Sequence, residues 1–263
     1  MTGNPPKIIS LLTDFGTRDG YVGVMKGVLS TLAPEVRFID ISHEISPQDV
    51  ASARFLLKHS FSWFPPGTVH LAVVDPGVGS GRRGLAIEVR GHFFVGPDNG
   101  LFTPILEGAK VHSLEVSDYW LPRQSATFHG RDIFSPVAAH LARGVPLERF
   151  GPPVDHPVRL EEPEPSRAQE DWMGEVVYVD RFGNAVTNFT ETWIEENRLS
   201  EDRGTLFTPD GADWPIVRTY SSVATGVRCA VMGGFACWEL SINQGNASEK
   251  HGFGTGTRVC FKG

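Results

Sequence analysis

Cysteine is scarce in this chain: there are three in 263 residues, Cys229, Cys237 and Cys260, all near the C-terminus. An odd count with no C-x-x-C pair excludes a disulfide framework and argues against a cysteine zinc knuckle. Basic charge is also short, with 24 Lys and Arg against 31 Asp and Glu and a formal net charge of -7. Such a chain lacks the electropositive footprint that phosphates demand, so no nucleic-acid partner is expected. No run approaches the ~20 apolar residues of a membrane span. The opening Met1-Thr2-Gly3-Asn4-Pro5-Pro6-Lys7 lacks the apolar core of a secretory leader. No membrane partner is expected, and a cytoplasmic location follows by elimination.

What is present is a 40% hydrophobic chain, enough for one large core or two smaller ones. Over the first 160 or so residues, short apolar strands alternate with amphipathic stretches, the pattern of an α/β domain with a mostly parallel central sheet. Ile8 to Thr13, Val36 to Asp40, Val69 to Val74, Leu85 to Val89 and Phe93 to Val95 read as strands. Tyr21 to Leu32, Gln48 to Phe61 and Ile133 to Leu141 read as helices, with Pro47 placed to open the second. Composition changes at Glu161-Glu162-Pro163-Glu164-Pro165-Ser166-Arg167, a charged, proline-bearing stretch that suits an exposed linker. Beyond it Gly174 to Asp180 alternates, and Arg228 to Met232 and Trp238 to Ile242 suggest antiparallel strands. The expected organisation is an N-terminal α/β domain over 1–163 and a smaller C-terminal β domain over 164–263.

Ligands of an open α/β sheet bind beyond the carboxyl ends of its strands. Three polar clusters fall there. Asp14, in Thr13-Asp14-Phe15-Gly16, emerges as the first strand stops, where its carboxylate would accept both hydroxyls of a ribose diol. A cap for the following helix, or an Asx-turn, explains it equally well. Asp75 opens Asp75-Pro76-Gly77-Val78-Gly79-Ser80-Gly81-Arg82, whose glycines permit close backbone approach to a ligand. The run fits neither the dinucleotide fingerprint nor a P-loop, and a turn with a structural Asp–Arg pair is its competing explanation. His129, in Phe128-His129-Gly130-Arg131-Asp132, is placed to hydrogen-bond Asp75 and to exchange a proton near neutral pH, or simply to face solvent.

Metal chemistry finds no H-E-x-x-H and no calcium-like spacing around His43-Glu44, His129 and Asp132, so no metal is expected. In the second half, Asp180-Arg181-Phe182-Gly183-Asn184 and Asn243-Gln244-Gly245-Asn246-Ala247 end strands in amide-rich turns. These suit the hydrogen-bonding edge of a purine, or serve the turns themselves.

Taken in order, Leu12-Thr13-Asp14-Phe15-Gly16, Val74-Asp75-Pro76-Gly77-Val78-Gly79 with Arg82, Val95-Gly96-Pro97-Asp98-Asn99-Gly100, Phe128-His129-Gly130-Arg131-Asp132, Asp180-Arg181-Phe182-Gly183-Asn184 with Thr187-Asn188, and Asn243 to Ala247 closely resemble the S-adenosylmethionine hydroxide adenosyltransferases. The resemblance runs from about Ile8 to Val259. It implies a C-terminal β-barrel-like domain and a homotrimer with active sites between neighbouring subunits. It also implies hydrolysis of S-adenosyl-L-methionine to adenosine and L-methionine with no cofactor. Asp75, Arg82 and His129 match the catalytic set of this water-using branch; Asp14 matches the ribose binder; Asp180, Phe182, Asn184, Asn243 and Ala247 match substrate-binding positions. Halide-using relatives carry tyrosine where Asp75 stands, the fluorinating ones serine where Gly130 stands, and both an inserted loop after the position of Arg82.

Overall fold

The computed structural model describes residues 7–200 and 204–262. The stretch read above as lacking a leader core, apart from Lys7, lies outside the described residues. The chain forms two compact units, Met1–Leu160 and Glu161–Gly263.

The first unit contains, in chain order, β1 (Ile8–Thr13), α1 (Tyr21–Leu32), β2 (Arg37–Ser42), α2 (Val50–Ser60), β3 (Val69–Val73), β4 (Gly84–Val89), β5 (His92–Pro97), β6 (Lys110–Ser113) and α3 (Ser135–Ala142). Its sheet runs β2-β1-β3-β5-β4-β6. Strands β2, β1, β3 and β5 are mutually parallel, and β4 is antiparallel to both its neighbours. The β4–β5 reversal needs only Arg90 and Gly91, both at positive φ (51° and 78°), the two-residue turn whose twist matches that of a hairpin.

β1 and β3 are buried along their whole length because both faces of the sheet are covered. Ile9, Leu11, Leu71, Val73 and Val95 pack on one face with Met25 and Leu29 of α1 and Val137 and Leu141 of α3. Leu12, Ala72, Val74 and Phe94 pack on the other with Ala53 and Leu57 of α2. Each fully buried leucine of these faces contributes about 1.5–3 kcal/mol relative to exposure. At Gly96 a Cβ would come within 2.1 Å of the Ala72 carbonyl oxygen, so glycine is what lets β5 lie tight beside β3.

Two helix boundaries differ from the sequence expectation. Gln48 adopts φ 69° and stands outside the helix; Asp49 caps α2 by accepting from the Ser52 N–H at 2.9 Å. A single carboxylate thus overrides Pro47 as the start signal. Before α3, Gly130–Phe134 form a π turn, closed where the Ser135 N–H meets the Gly130 carbonyl.

The second unit contains β7 (Ser166–Ala168), β8 (Asp171–Val179), β9 (Ala185–Thr190), α4 (Glu191–Glu196), β10 (Thr205–Phe207), β11 (Asp213–Pro215), β12 (Arg228–Met232), β13 (Cys237–Ile242), α5 (Ala247–His251) and β14 (Arg258–Lys262). The sheet order is β11-β10-β14-β8-β9-β13-β12, with β7 against β8. A parallel bridge from Ile216, just past β11, to Ala230 of β12 nearly closes this otherwise antiparallel sheet into a barrel. Trp214, Trp238, Phe189 and Phe261 fill the interior. Among the described residues, no helix is long and apolar enough to cross a membrane.

Candidate active site

β1 and β3 lie in register with Thr13 opposite Val73. Asp14 and Val74 therefore leave the sheet side by side, and Asp75 follows one residue later. Asn99, beyond β5, donates from its side-chain amide to the Val74 carbonyl at 2.8 Å and so fixes the backbone immediately before Asp75. Arg83 bonds the buried Asp98 carboxylate at 2.8 Å, which steadies the other end of the Asp75–Arg82 loop. Midway, Gly79 sits at φ 77° with the Ala126 carbonyl oxygen 2.6 Å from where a Cβ would stand, so a side chain is excluded on two counts. That close approach sets the loop against the segment carrying His129.

Arg82 organises this end of the sheet. Its Nε lies 2.9 Å from both oxygens of Asp75, a second N–H bonds Asp75 Oδ2, and the same terminal nitrogen reaches His129 Nδ1 at 2.9 Å. The Phe134 ring lies beneath the guanidinium, 5.1 Å from Cζ to centroid. The side chains of Asp75 and Arg82 are only 6% and 11% exposed, so the pair is held in a weakly screened setting. The expected hydrogen bond between His129 and Asp75 is replaced by one to Arg82, which stands between them. Because a guanidinium can only donate, His129 Nδ1 must accept, and the neutral imidazole carries its proton on Nε2. Burial, then the Arg82 charge, pushes the His129 pKa below its ordinary value against the opposing pull of Asp75 and Asp132. Neutral histidine is thereby favoured.

The segment bearing His129 is pinned by Asp132, whose carboxylate accepts from the Ser125 N–H at 2.7 Å and from Arg131. Burial works against its ionisation, but the Arg131 and Ser125 bonds prevail and hold its pKa low. Gly130 is buried, and a Cβ there would press on Met25 Sδ at 3.3 Å. Asp14 caps no helix: its Oδ2 accepts from the Gln48 N–H at 2.8 Å, and the half-buried carboxylate keeps accepting capacity on both oxygens. Among the described residues, no three His, Cys, Asp or Glu side chains group as metal ligands.

In the second unit, Asp180 Oδ1 accepts from the N–H groups of Phe182 and Asn184, both at 2.8 Å, and Oδ2 from the Asn184 amide at 2.9 Å. The turn so fixed presents Phe182, 76% exposed, at its tip. Gly183, at φ 82°, lies where a Cβ would collide with the Asn246 side chain, and its carbonyl accepts from the Ser248 N–H at 2.9 Å. The turn is thus brought onto the start of α5, beside buried Ala247. Asn243 has a different surrounding: its amide donates to the Val223 carbonyl at 2.8 Å and ties down the 223–227 turn. Glu239 was not singled out by sequence. It is 3% exposed and bonded by the Tyr220 hydroxyl; burial raises its pKa, and the Asp180 charge adds to the effect.

The SAM hydroxide adenosyltransferase N-terminal domain model matches residues 9–151, and the C-terminal domain model of the same family matches 174–260. A protein of Thermus thermophilus named (R)-S-adenosyl-L-methionine hydrolase is 38% identical over 95% of this chain and 98% of its own length. One of Salinispora tropica with the same name is 37% identical over 97% of each. A crystal structure of an uncharacterized conserved protein from Thermotoga maritima superposes with TM-score 0.89 at 34% identity, covering 96% of this chain and 99% of that one. With both domain models matched in order across most of its length, and strand ends that carry the polar clusters just described, the chain belongs to the SAM hydroxide adenosyltransferase family.

Proposed function

We propose that this chain is an enzyme that hydrolyses S-adenosyl-L-methionine to adenosine and L-methionine. Water attacks ribose C5′ in line with the C–S bond; as the C–O bond forms, the C–S pair returns to sulfur and methionine leaves as a neutral thioether. No acid is needed at the leaving group, and the reaction calls for neither metal nor cofactor. The names of the relatives point to the (R) sulfonium epimer as substrate.

The observation that carries the reading is the Arg82 fork, which holds Asp75 and His129 in one fixed array at the strand ends. The His129 Nε2–H donates to the water oxygen, and the Asp75 carboxylate accepts from the same water and takes up its proton as the C–O bond forms. The oxygen becomes strongly acidic only as it bonds to carbon, so a weak base suffices provided it is already in place. Holding water and sulfonium at reacting distance supplies most of the acceleration. Asp14 receives the ribose diol. The exposed Phe182, the Asp180–Asn184 turn and Ala247 serve the nucleoside or amino-acid portion, with Asn243 supporting that wall. The family resemblance further supports a cytoplasmic homotrimer in which neighbouring subunits complete each site.

Reaction in H2 18O with each sulfonium epimer tests this. Equimolar adenosine and methionine, with 18O in the adenosine 5′-hydroxyl, is the expected result. Product lacking the label, or no turnover of either epimer, rejects the assignment.

A further inference from the structure

The mechanism above leaves unused a polar chain behind Asp14, buried at Thr13 and His43 and reaching the surface at Asp40 and Lys26. Thr13, fully buried at the end of β1, has its Oγ1 2.8 Å from His43 Nδ1 and 3.3 Å from the Phe15 N–H. His43, 5% exposed, places Nε2 3.0 Å from Asp40 Oδ1, and Lys26 holds the other oxygen of Asp40 at 2.6 Å. The Asp40 carboxylate beside Nε2, at ion-pair distance though not aligned as a hydrogen bond, favours the proton on that nitrogen, which leaves Nδ1 as the acceptor of the Thr13 hydroxyl. The Thr13 oxygen is then free to accept from Phe15, and each hydrogen in the chain has one direction.

The same histidine anchors the backbone. Its carbonyl accepts from the Gly16 N–H at 2.7 Å, Glu44 accepts from the Thr17 hydroxyl at 2.9 Å, and the Gln48 N–H ends the row on Asp14 itself at 2.8 Å. The 13–17 loop is therefore clamped to the 43–48 segment on both sides of Asp14. A carboxylate on a short loop would otherwise sample rotamers in which its two oxygens do not face a diol together, and ordering it in advance removes that cost from binding.

We propose that His43 is the positioning residue of the ribose carboxylate, acting through Thr13 and the 43–48 segment to hold Asp14 in the orientation that reads both hydroxyls of a ribose. The proposal rests on the reading of Asp14 as the diol binder. It assigns to His43 a selectivity for ribose over deoxyribose, with no part in the chemical step.

Calorimetric affinities for adenosine and 2′-deoxyadenosine test it on the full chain, as wild type, Asp14→Ala, Thr13→Val, His43→Leu and His43→Asn. Wild type should prefer adenosine, and Asp14→Ala should abolish the preference. Thr13→Val and His43→Leu should each lower it about tenfold, the scale of one charge-assisted hydrogen bond, while His43→Asn, whose amide oxygen falls near the place of Nδ1, restores it. Equal weakening of both ligands, with the preference intact in Thr13→Val and His43→Leu, overturns the proposal and leaves the role of Asp14 standing. A wild type that does not discriminate, or an Asp14→Ala variant that still does, overturns the diol assignment and the proposal with it. Thr13→Val keeps the shape of the buried side chain and so carries the test if His43→Leu does not fold.

Discussion

Replacing Arg82 by lysine preserves a positive charge beside Asp75 while dismantling the fork that orients it. In the native arrangement Nε spans both carboxylate oxygens at 2.9 Å and a terminal nitrogen joins Asp75 Oδ2 to His129 Nδ1. An ammonium group is a point donor on a flexible stem; it can satisfy one oxygen of Asp75 but cannot at the same time reach the histidine. The loss of oriented charge-assisted bonds should cost roughly 1–3 kcal/mol of stability. The larger effect should fall on turnover, because the water loses its aligned acceptor and donor together: kcat should drop about 10²–10³-fold, the range for removal of a preorganised polar contact. KM should move by no more than about threefold, since the ribose and amino-acid contacts lie elsewhere. Product chromatography over a range of S-adenosyl-L-methionine concentrations separates the two parameters. A kcat within threefold of wild type, or a rise in KM at constant kcat, would refute the idea that Arg82 aligns the nucleophile.

Three other outcomes are expected. Because burial and Arg82 depress the His129 pKa below 6.5, the neutral ring persists as pH falls through 6.5, and the acid limb of kcat should have its midpoint lower than that; a midpoint at or above 6.5 would contradict it. His70, wholly buried between Ser10 and His92, has its pKa pushed down to about 3 by burial first and by His92 second. The unfolded chain therefore takes up this proton first, and stability should fall as pH drops from 6.5 towards 3, by up to about 5 kcal/mol; chemical denaturation of His70→Gln should show a flatter acid dependence, and an unchanged slope would count against it. Chloride should give no 5′-chloro-5′-deoxyadenosine, because the carboxylate of Asp75 repels an anion approaching the same carbon, and formation of that product at rates near those of adenosine would undo the assignment of nucleophile.

The strands of the first unit were legible because burial on both faces writes unbroken apolar runs such as Val69 to Val74. The strand-end positions of Asp14 and Asp75 followed directly. Hydrogen-bond partners were not legible, since they depend on rotamers and on segments distant in the chain. His129 lies 47 residues beyond Arg82, and nothing in the spacing could say that the guanidinium, not the carboxylate, would face it. Asn99 and Asp132 act by fixing backbone, and His43 sits one strand away from the residue it supports. A signal did exist for Asn99, in the polar Pro97-Asp98-Asn99-Gly100 stop after a strand. In the second unit, Asn243 conforms to the turn-forming explanation of its amide, whereas Gly183 joins the two amide-rich turns by a contact that only the folded chain reveals.

The π turn at Gly130–Phe134 carries one more residue per hydrogen-bonded loop than an α-helix. Extending α3 backwards with regular geometry would advance the phase of everything upstream by about 100°, swinging the imidazole away from the guanidinium. Excising a single residue from this stretch would leave the helix axis and the apolar face of α3 intact yet mis-aim the imidazole that hydrogen-bonds Arg82. The spacing between His129 and α3 is thus as much a determinant of chemistry as the identity of either, and a residue count alone would tell an aligned member of this architecture from a misaligned one.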